Sequence, residues 1–385
     1  MDITLQPSNL FGSVTVPPSK SMAHRMLICA VFGDGPTTLI CSETNEDIDA
    51  TADCLRALGA DVQRKRNGFY IHPIRCIPES ATLACRESGS TLRFLLPIVG
   101  ALGVNTTILM EGRLPQRPLS PLWEEMERMG CRLTRTNENK ILCTGKLLPG
   151  EYRIDGSISS QFISGLIMAL PLIEGKTSLQ ITGNIQSAPY IRMTQSVLDH
   201  FSNKHPEQMT VEGDWSSAAF WMAANALGSR IDVKGVNASS FQGDKEIAHL
   251  LPKLGEPMTI SAKDIPDLIP ILSVVATANK GAVFTDIARL RYKESDRVAA
   301  IVAMLESMGG HAEATKNTLT VHGTPLRGGI VNSFGDHRIA MSAAIAATVC
   351  DTPVTILGAD CVKKSYPKFW EDYAHLGGNY EELLR

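Results

Sequence analysis

LRALGADVQRKRNGFYIHP, residues 55–73, reads as the end of a helix, a strand, a tight polar turn and a second short strand. Gly59 stands where a helix C-terminus favours a left-handed residue, and Asn67-Gly68 is a strong turn signal between two short runs. The phrase returns as WEEMERMGCRLTRTNENKILCTG from Trp123 and as IVAMLESMGGHAEATKNTLTVHG from Ile301, with Gly130 and Gly309 in the place of Gly59. A degraded copy, IAHLLPKLGEPMTI, starts at Ile247. Repeats of a helix-plus-strands unit imply stacked copies that share a core, and their spacing suggests about six units in two groups. The fold class is α/β.

Composition sets the outer limits. At 385 residues the chain is too long for one ordinary core, so two domains are expected. Candidate boundaries are the Gly/Pro/Ser-rich stretch before Lys20 and the stretch around Glu212-Gly213-Asp214. If the first strand belongs with the C-terminal half, the domains are residues 1–19 plus 213–385, and 20–212 inserted between them. A net charge of −3 gives no reason to expect nucleic acid or an anionic membrane as partner. The N-terminal residues lack the basic and apolar regions of a signal peptide, and the most apolar stretch is far short of a bilayer span. Nine cysteines without a CxxC pair read as small core residues of a cytoplasmic protein.

Cations gather at predicted helix starts. Ser19-Lys20-Ser21 leads to Arg25, Glu87-Ser88-Gly89-Ser90 leads to Arg93, and Gly156-Ser157-Ile158-Ser159-Ser160-Gln161 opens another helix. Lys293-Glu294-Ser295-Asp296-Arg297, Gly335-Asp336-His337-Arg338 and Lys364-Ser365-Tyr366-Pro367 repeat the theme in the second half. Free N–H groups and the positive dipole end make such places natural anion sites. On a helix, Ser21 and Arg25, and Lys293 and Arg297, are i and i+4 and share a face. One such motif alone is an ordinary N-cap beside surface charge; six together point to a substrate set with several anionic groups. No P-loop, dinucleotide fingerprint, HExxH or cysteine–histidine metal spacing occurs. His24, His72 and His322 read as solvated or core residues, and Asp47 and Asp49 as an acidic first helical turn.

PPSKSMAHR, SGSTLR, GRLPQRP, DGSISSQF, SAPY, IPD, RYKESDR, GDHRIAM and KSYP, in this order over nearly the whole chain, resemble the motifs of the EPSP synthase family. The resemblance implies two similar domains, each of three βαβαββ-type repeats around a pseudo-threefold axis, with the active site in an interdomain cleft. It implies transfer of the enolpyruvyl group of phosphoenolpyruvate to shikimate 3-phosphate by a monomer. Carried over by motif, Lys20, Ser21, Arg25, Ser159, Ser160, Gln161, Ser187, Tyr190, Asp267 and Lys293 bind shikimate 3-phosphate. Lys20, Gly89, Arg117, Gln161, Arg297, Arg338 and Lys364 hold phosphoenolpyruvate.

Asp267 resembles the base beside the accepting hydroxyl and Glu294 the carboxylate that exchanges a proton at the methylene carbon, with Lys20 and Lys364 completing the catalytic set. Asp267 also reads as a helix N-cap, and Glu294 as an i,i+3 partner of Arg297. Because cations can stabilise the leaving phosphate, no metal or organic cofactor is required. Glu87 and Arg289 depart from residues common in the family; Glu87 is expected to pair with an arginine such as Arg86 or Arg93. The sister enzyme that uses UDP-N-acetylglucosamine has a loop cysteine where Gly112 stands here.

Overall fold

The computed structural model describes residues 1–203 and 205–383. The chain falls into two compact units, Met1–Pro17 with Gly213–Arg385, and Pro18–Glu212. Each has its own apolar core.

In the unit Pro18–Glu212, Ser80–Ala84, the helix Gly89–Leu102, Asn105–Leu109, the helix Leu122–Arg128, Cys131–Asn137 and Lys140–Gly145 form a βαβαββ module. Its first two strands pair in parallel and the last two close the sheet as an antiparallel hairpin. In the other unit, Met258–Ser261 through Thr318–His322 repeats that order and that pairing. The phrase first read at Leu55 forms the helix Glu46–Ala57 and the strands Asp61–Lys65 and Gly68–His72. Gly59, Gly130 and Gly309 have φ of 98°, 109° and 83°, the left-handed geometry that stops each helix.

Two modules are stitched from distant segments. Thr37–Ile40 takes its parallel neighbour from Gln208–Thr210. Asp2–Gln6 lies antiparallel to both Val354–Leu357 and Asn379–Leu383. Two further modules are reduced to parallel pairs, Glu151–Asp155 with Ser178–Thr182 and Phe11–Thr15 with Arg230–Lys234. The copy at Ile247 does not form a hairpin: a four-residue helix, Ile247–Leu250, gives way at Pro252 to a 3₁₀ turn. Its one strand, Met258–Ser261, opens the next module.

In each unit, helices without a polar face are buried. In Ile269–Thr277 every residue is buried, and Ser273 and Thr277 satisfy their hydroxyls on the carbonyls of Ile269 and Ser273 at 2.7 and 2.8 Å. Lys20–Val31, Gly89–Leu102, Ser160–Ala169 and His337–Ala346 are buried almost as fully. Their N-terminal turns carry the motifs singled out above. No described helix is long and apolar enough to cross a membrane.

Candidate active site

The unit Pro18–Glu212 gathers cations at two helix starts, the second of them joined to a third. Lys20 opens the helix Lys20–Val31 and its Nζ lies 2.8 Å from Asp47 Oδ2, in the acidic first turn of the next helix, which Asn45 caps. Arg25, one turn on, is buried: Nε donates to Thr194 Oγ1 at 2.6 Å, and its terminal nitrogens reach the carbonyls of Ser21 and Tyr190. Its guanidinium stacks 4.8 Å from the Phe94 ring centre. Burial lowers its pKa to about 10, so it stays charged near neutrality. His24 is buried against Thr51 Oγ1 at 2.7 Å; burial, then Lys20 and Arg25, hold its pKa well below the ordinary range, so it stays neutral.

Ser88 caps the helix that begins at Gly89, and two guanidiniums converge there. A Cβ at Gly89 would lie 2.6 Å from Arg93 Nη1 and 2.9 Å from Arg117 Nη1. Only glycine lets both approach the first turn this closely. Arg93 Nη1 also donates to Gln161 Oε1 at 3.0 Å, and Gln161 Nε2 to Ser90 Oγ at 3.0 Å, joining this helix start to that of Ser160–Ala169. Ser159 caps that second helix through Gln161 N at 3.2 Å. Ser160 is buried there; Ser187 is also buried, with φ of 53°, just before the helix that carries Tyr190.

The other unit is organised around carboxylates. Asp267 accepts from Arg297 Nη1 at 2.7 Å, Arg338 Nη2 at 3.1 Å and Lys293 Nζ at 3.3 Å. It is not a helix cap: Leu268 holds that place for Ile269–Thr277, with no side-chain bond. Arg297, about 1% exposed, also meets Glu294 Oε2 at 2.6 Å and Asp336 Oδ2 at 2.9 Å. Burial opposes its charge, but Asp336, Glu294 and Asp267 outweigh that and raise its pKa. Burial likewise works against charge on Asp336, yet Arg297 holds its carboxyl below the ordinary value. Asp336 also caps His337–Ala346 through Arg338 N at 3.0 Å.

Two helical expectations are corrected here. Lys293 is extended and precedes the helix Arg297–Ser307, so the pair does not share a helix face; the two side chains meet on Asp267 instead. Lys364 ends a 3₁₀ turn rather than opening a helix, since the next helix starts only at Phe369 beyond Pro367. Its Nζ donates to the Gly335 carbonyl at 3.2 Å.

The departures also have positions. Arg86 pairs with Asp53 at 2.7 Å, and the Glu87 carboxyl occupies the space that a Cβ at Gly112 would need. Arg289 donates to the Lys263 carbonyl at 2.6 Å. Asp244 lies outside all of the sequence motifs. It is fully buried, with one carboxyl oxygen on Ser216 Oγ and the other without a hydrogen-bond partner. Burial, then the charge of Asp267, push its pKa up to about 7. In sequence it opens the charged run Asp244-Lys245-Glu246, which reads as solvated surface.

Within each unit, the cation-rich helix starts of one and the cations around Asp267 in the other suit ligands with phosphate or carboxylate groups. The family profile described as EPSP synthase (3-phosphoshikimate 1-carboxyvinyltransferase) matches residues 5–373. The chain belongs to the EPSP synthase family. With the family comes the activity in its name, 3-phosphoshikimate 1-carboxyvinyltransferase. A 3-phosphoshikimate 1-carboxyvinyltransferase of Clostridium perfringens is 38% identical, with 99% of both chains covered. One of Clostridium kluyveri is 35% identical over 99% of this chain and 98% of its own.

Among solved structures, an EPSP synthase of Acinetobacter baumannii superposes with a TM-score of 0.79 at 23% identity, covering 99% of this chain and 100% of its own. The enolpyruvyl transferase NikO of Streptomyces tendae does so at 0.72 and 16% identity, covering 99% and 98%. These two likenesses speak for the EPSP synthase fold.

Proposed function

We propose that the chain transfers the enolpyruvyl group of phosphoenolpyruvate to the 5-hydroxyl of shikimate 3-phosphate, using the residues described above. Its domains are residues 1–19 with 213–385 and residues 20–212, the first boundary lying two residues beyond that of the compact units. It works as a cytoplasmic monomer whose partners are these two small molecules. The observation that carries the residue assignment is Asp267, a carboxylate held by three cations rather than used as a helix cap.

Asp267 takes the proton of the attacking hydroxyl, which adds to the substituted carbon of phosphoenolpyruvate while the methylene carbon gains a proton from Glu294 or Lys20. The tetrahedral adduct then loses phosphate and one methyl proton, restoring the double bond. Arg117, Arg297, Arg338, Lys364, Lys20 and Gln161, with the backbone at Gly89, hold phosphoenolpyruvate and stabilise the departing phosphate. Ser21, Arg25, Ser159, Ser160, Gln161, Ser187, Tyr190, Lys20 and Lys293 hold shikimate 3-phosphate.

Phosphate release from phosphoenolpyruvate and shikimate 3-phosphate in EDTA tests this reading. Release with UDP-N-acetylglucosamine instead, or with neither acceptor from folded protein, overturns it. Gly112 bears on the acceptor, since a cysteine there would collide with the Glu87 carboxyl.

Two further results are expected. Gly89→Ala drives the Arg93 and Arg117 guanidiniums apart. The KM for phosphoenolpyruvate then rises about tenfold, ~1.4 kcal/mol of binding, while the KM for shikimate 3-phosphate changes little in steady-state assays. Lys293 supplies the second. Burial lowers its pKa to about 8, although Asp267 opposes the shift. The group is cationic below that pH and neutral above it, so kcat/KM for shikimate 3-phosphate falls as pH rises through about 8. In Lys293→Arg that alkaline limb moves to higher pH; an unmoved limb excludes Lys293 as its source.

A further inference from the structure

The strands His311–Ala314 and Thr318–His322 form an antiparallel hairpin on the unit Met1–Pro17 with Gly213–Arg385. Ala312, Leu319 and Val321 point into the core, which leaves the alternate residues on the solvent face. His311 and Glu313 are two apart on one strand, and His322 is directly opposite His311 on the other. Three side chains with metal-ligating atoms therefore share one face at one end of the sheet. The next strand places Gly281 opposite His322, so no side chain crowds the imidazole from that side.

The distances fit one ion. Nε2 of His311 lies 3.1 Å from Glu313 Oε1, and Nε2 of His322 lies 3.9 Å from the same oxygen. All three donors lie within 4.8 Å of one another, and the two rings stack at 4.8 Å between centres. In a tetrahedral site with metal–nitrogen bonds of about 2.05 Å, donors sit roughly 3.4 Å apart. The ladder fixes the backbone positions, and binding would turn the two stacked rings so that their nitrogens converge at that spacing. Two imidazoles and one carboxylate favour nickel, copper or zinc over magnesium or calcium, which prefer oxygen donors.

We propose that His311, Glu313 and His322 form a surface site for one divalent ion of the nickel, copper and zinc group, with water completing its coordination. The site lies outside the residues assigned to catalysis and ties the two strands of the hairpin together. A spacing search of the sequence cannot find it, because the pair of imidazoles arises from strand register.

Titration of EDTA-treated, full-length Cys76→Ser protein with Zn²⁺ in a calorimeter tests the site; the substitution removes an exposed thiol that could also bind zinc. One equivalent is expected to bind, and Co²⁺ in its place should give visible bands of imidazole ligation. His311→Ala and His322→Ala should each weaken binding at least tenfold, and Glu313→Gln less. Saturating Zn²⁺ should raise the melting temperature of the parent but not of the double histidine variant. Phosphate release in EDTA should be the same in all of them. No binding at millimolar Zn²⁺, or equal binding by parent and double variant, overturns the proposal.

Discussion

Asp267→Asn is expected to lower kcat for enolpyruvyl transfer by a factor of about 10²–10⁴, the usual range for loss of a positioned acid–base group. The amide keeps the size of the carboxylate but cannot take the hydroxyl proton. It also loses the charge that Arg297, Arg338 and Lys293 now surround. If Asp267 only arranged those cations, the substitution would weaken binding of both substrates and leave the bound rate nearly intact. The measurement is therefore a single-turnover rate at saturating substrates beside separate dissociation constants. A rate within about threefold of the parent, with weakened binding, reduces Asp267 to a positioning role. Glu294→Gln under the same conditions divides the remaining proton transfers.

The largest stability effect is expected at Arg297. Its guanidinium is almost wholly buried and meets Asp336, Glu294 and Asp267. Arg297→Met fills similar space but leaves Asp336 buried without its main counter-charge, and breaking such an ion pair costs about 3–5 kcal/mol. Urea unfolding followed in the transition of this unit should show that loss. Asp336→Asn should cost less, because it removes the anion instead of stranding it.

The sign with pH follows from Asp336, whose pKa is below its unfolded value of about 3.9. Its contribution is full above that value and is lost as pH falls through the lower folded pKa. Arg297→Met should therefore lose less stability in strong acid than the parent. A variant as stable as the parent at neutral pH would mean that water or Lys293 takes over the guanidinium's role.

Much of the fold is legible in local chemistry. The glycines that stop helices at 59, 130 and 309 mark the hairpins because left-handed geometry is demanded there. The anion-binding character of the helix starts is legible too, since caps, hydroxyls and cations are adjacent in sequence. What escapes is non-local. Gln208–Thr210 is too short to signal a strand, and only its pairing with Thr37–Ile40 makes it one. The copy at Ile247 keeps the composition of a hairpin, but Pro252 and the parallel partner Gly281–Thr285 redirect it. Arg93 and Asp336 owe their contacts, and Asp244 its raised pKa, to burial and to partners far along the chain, which no local pattern reports.

The pairing of Asp2–Gln6 with Asn379–Leu383 also bears on how the molecule is made. As the chain emerges from the ribosome, the segment 18–212 can complete all of its own strand pairs before the rest is synthesised. The strand Asp2–Gln6 has to wait for partners that are translated long after that unit. Until then Ile3 and Leu5, both buried in the finished molecule, are exposed on an unpaired strand. Chains stalled or truncated before Val354 should therefore hold a finished inserted unit and an adhesive, unpaired Asp2–Gln6 strand. Such fragments are natural clients for a chaperone that recognises extended apolar segments.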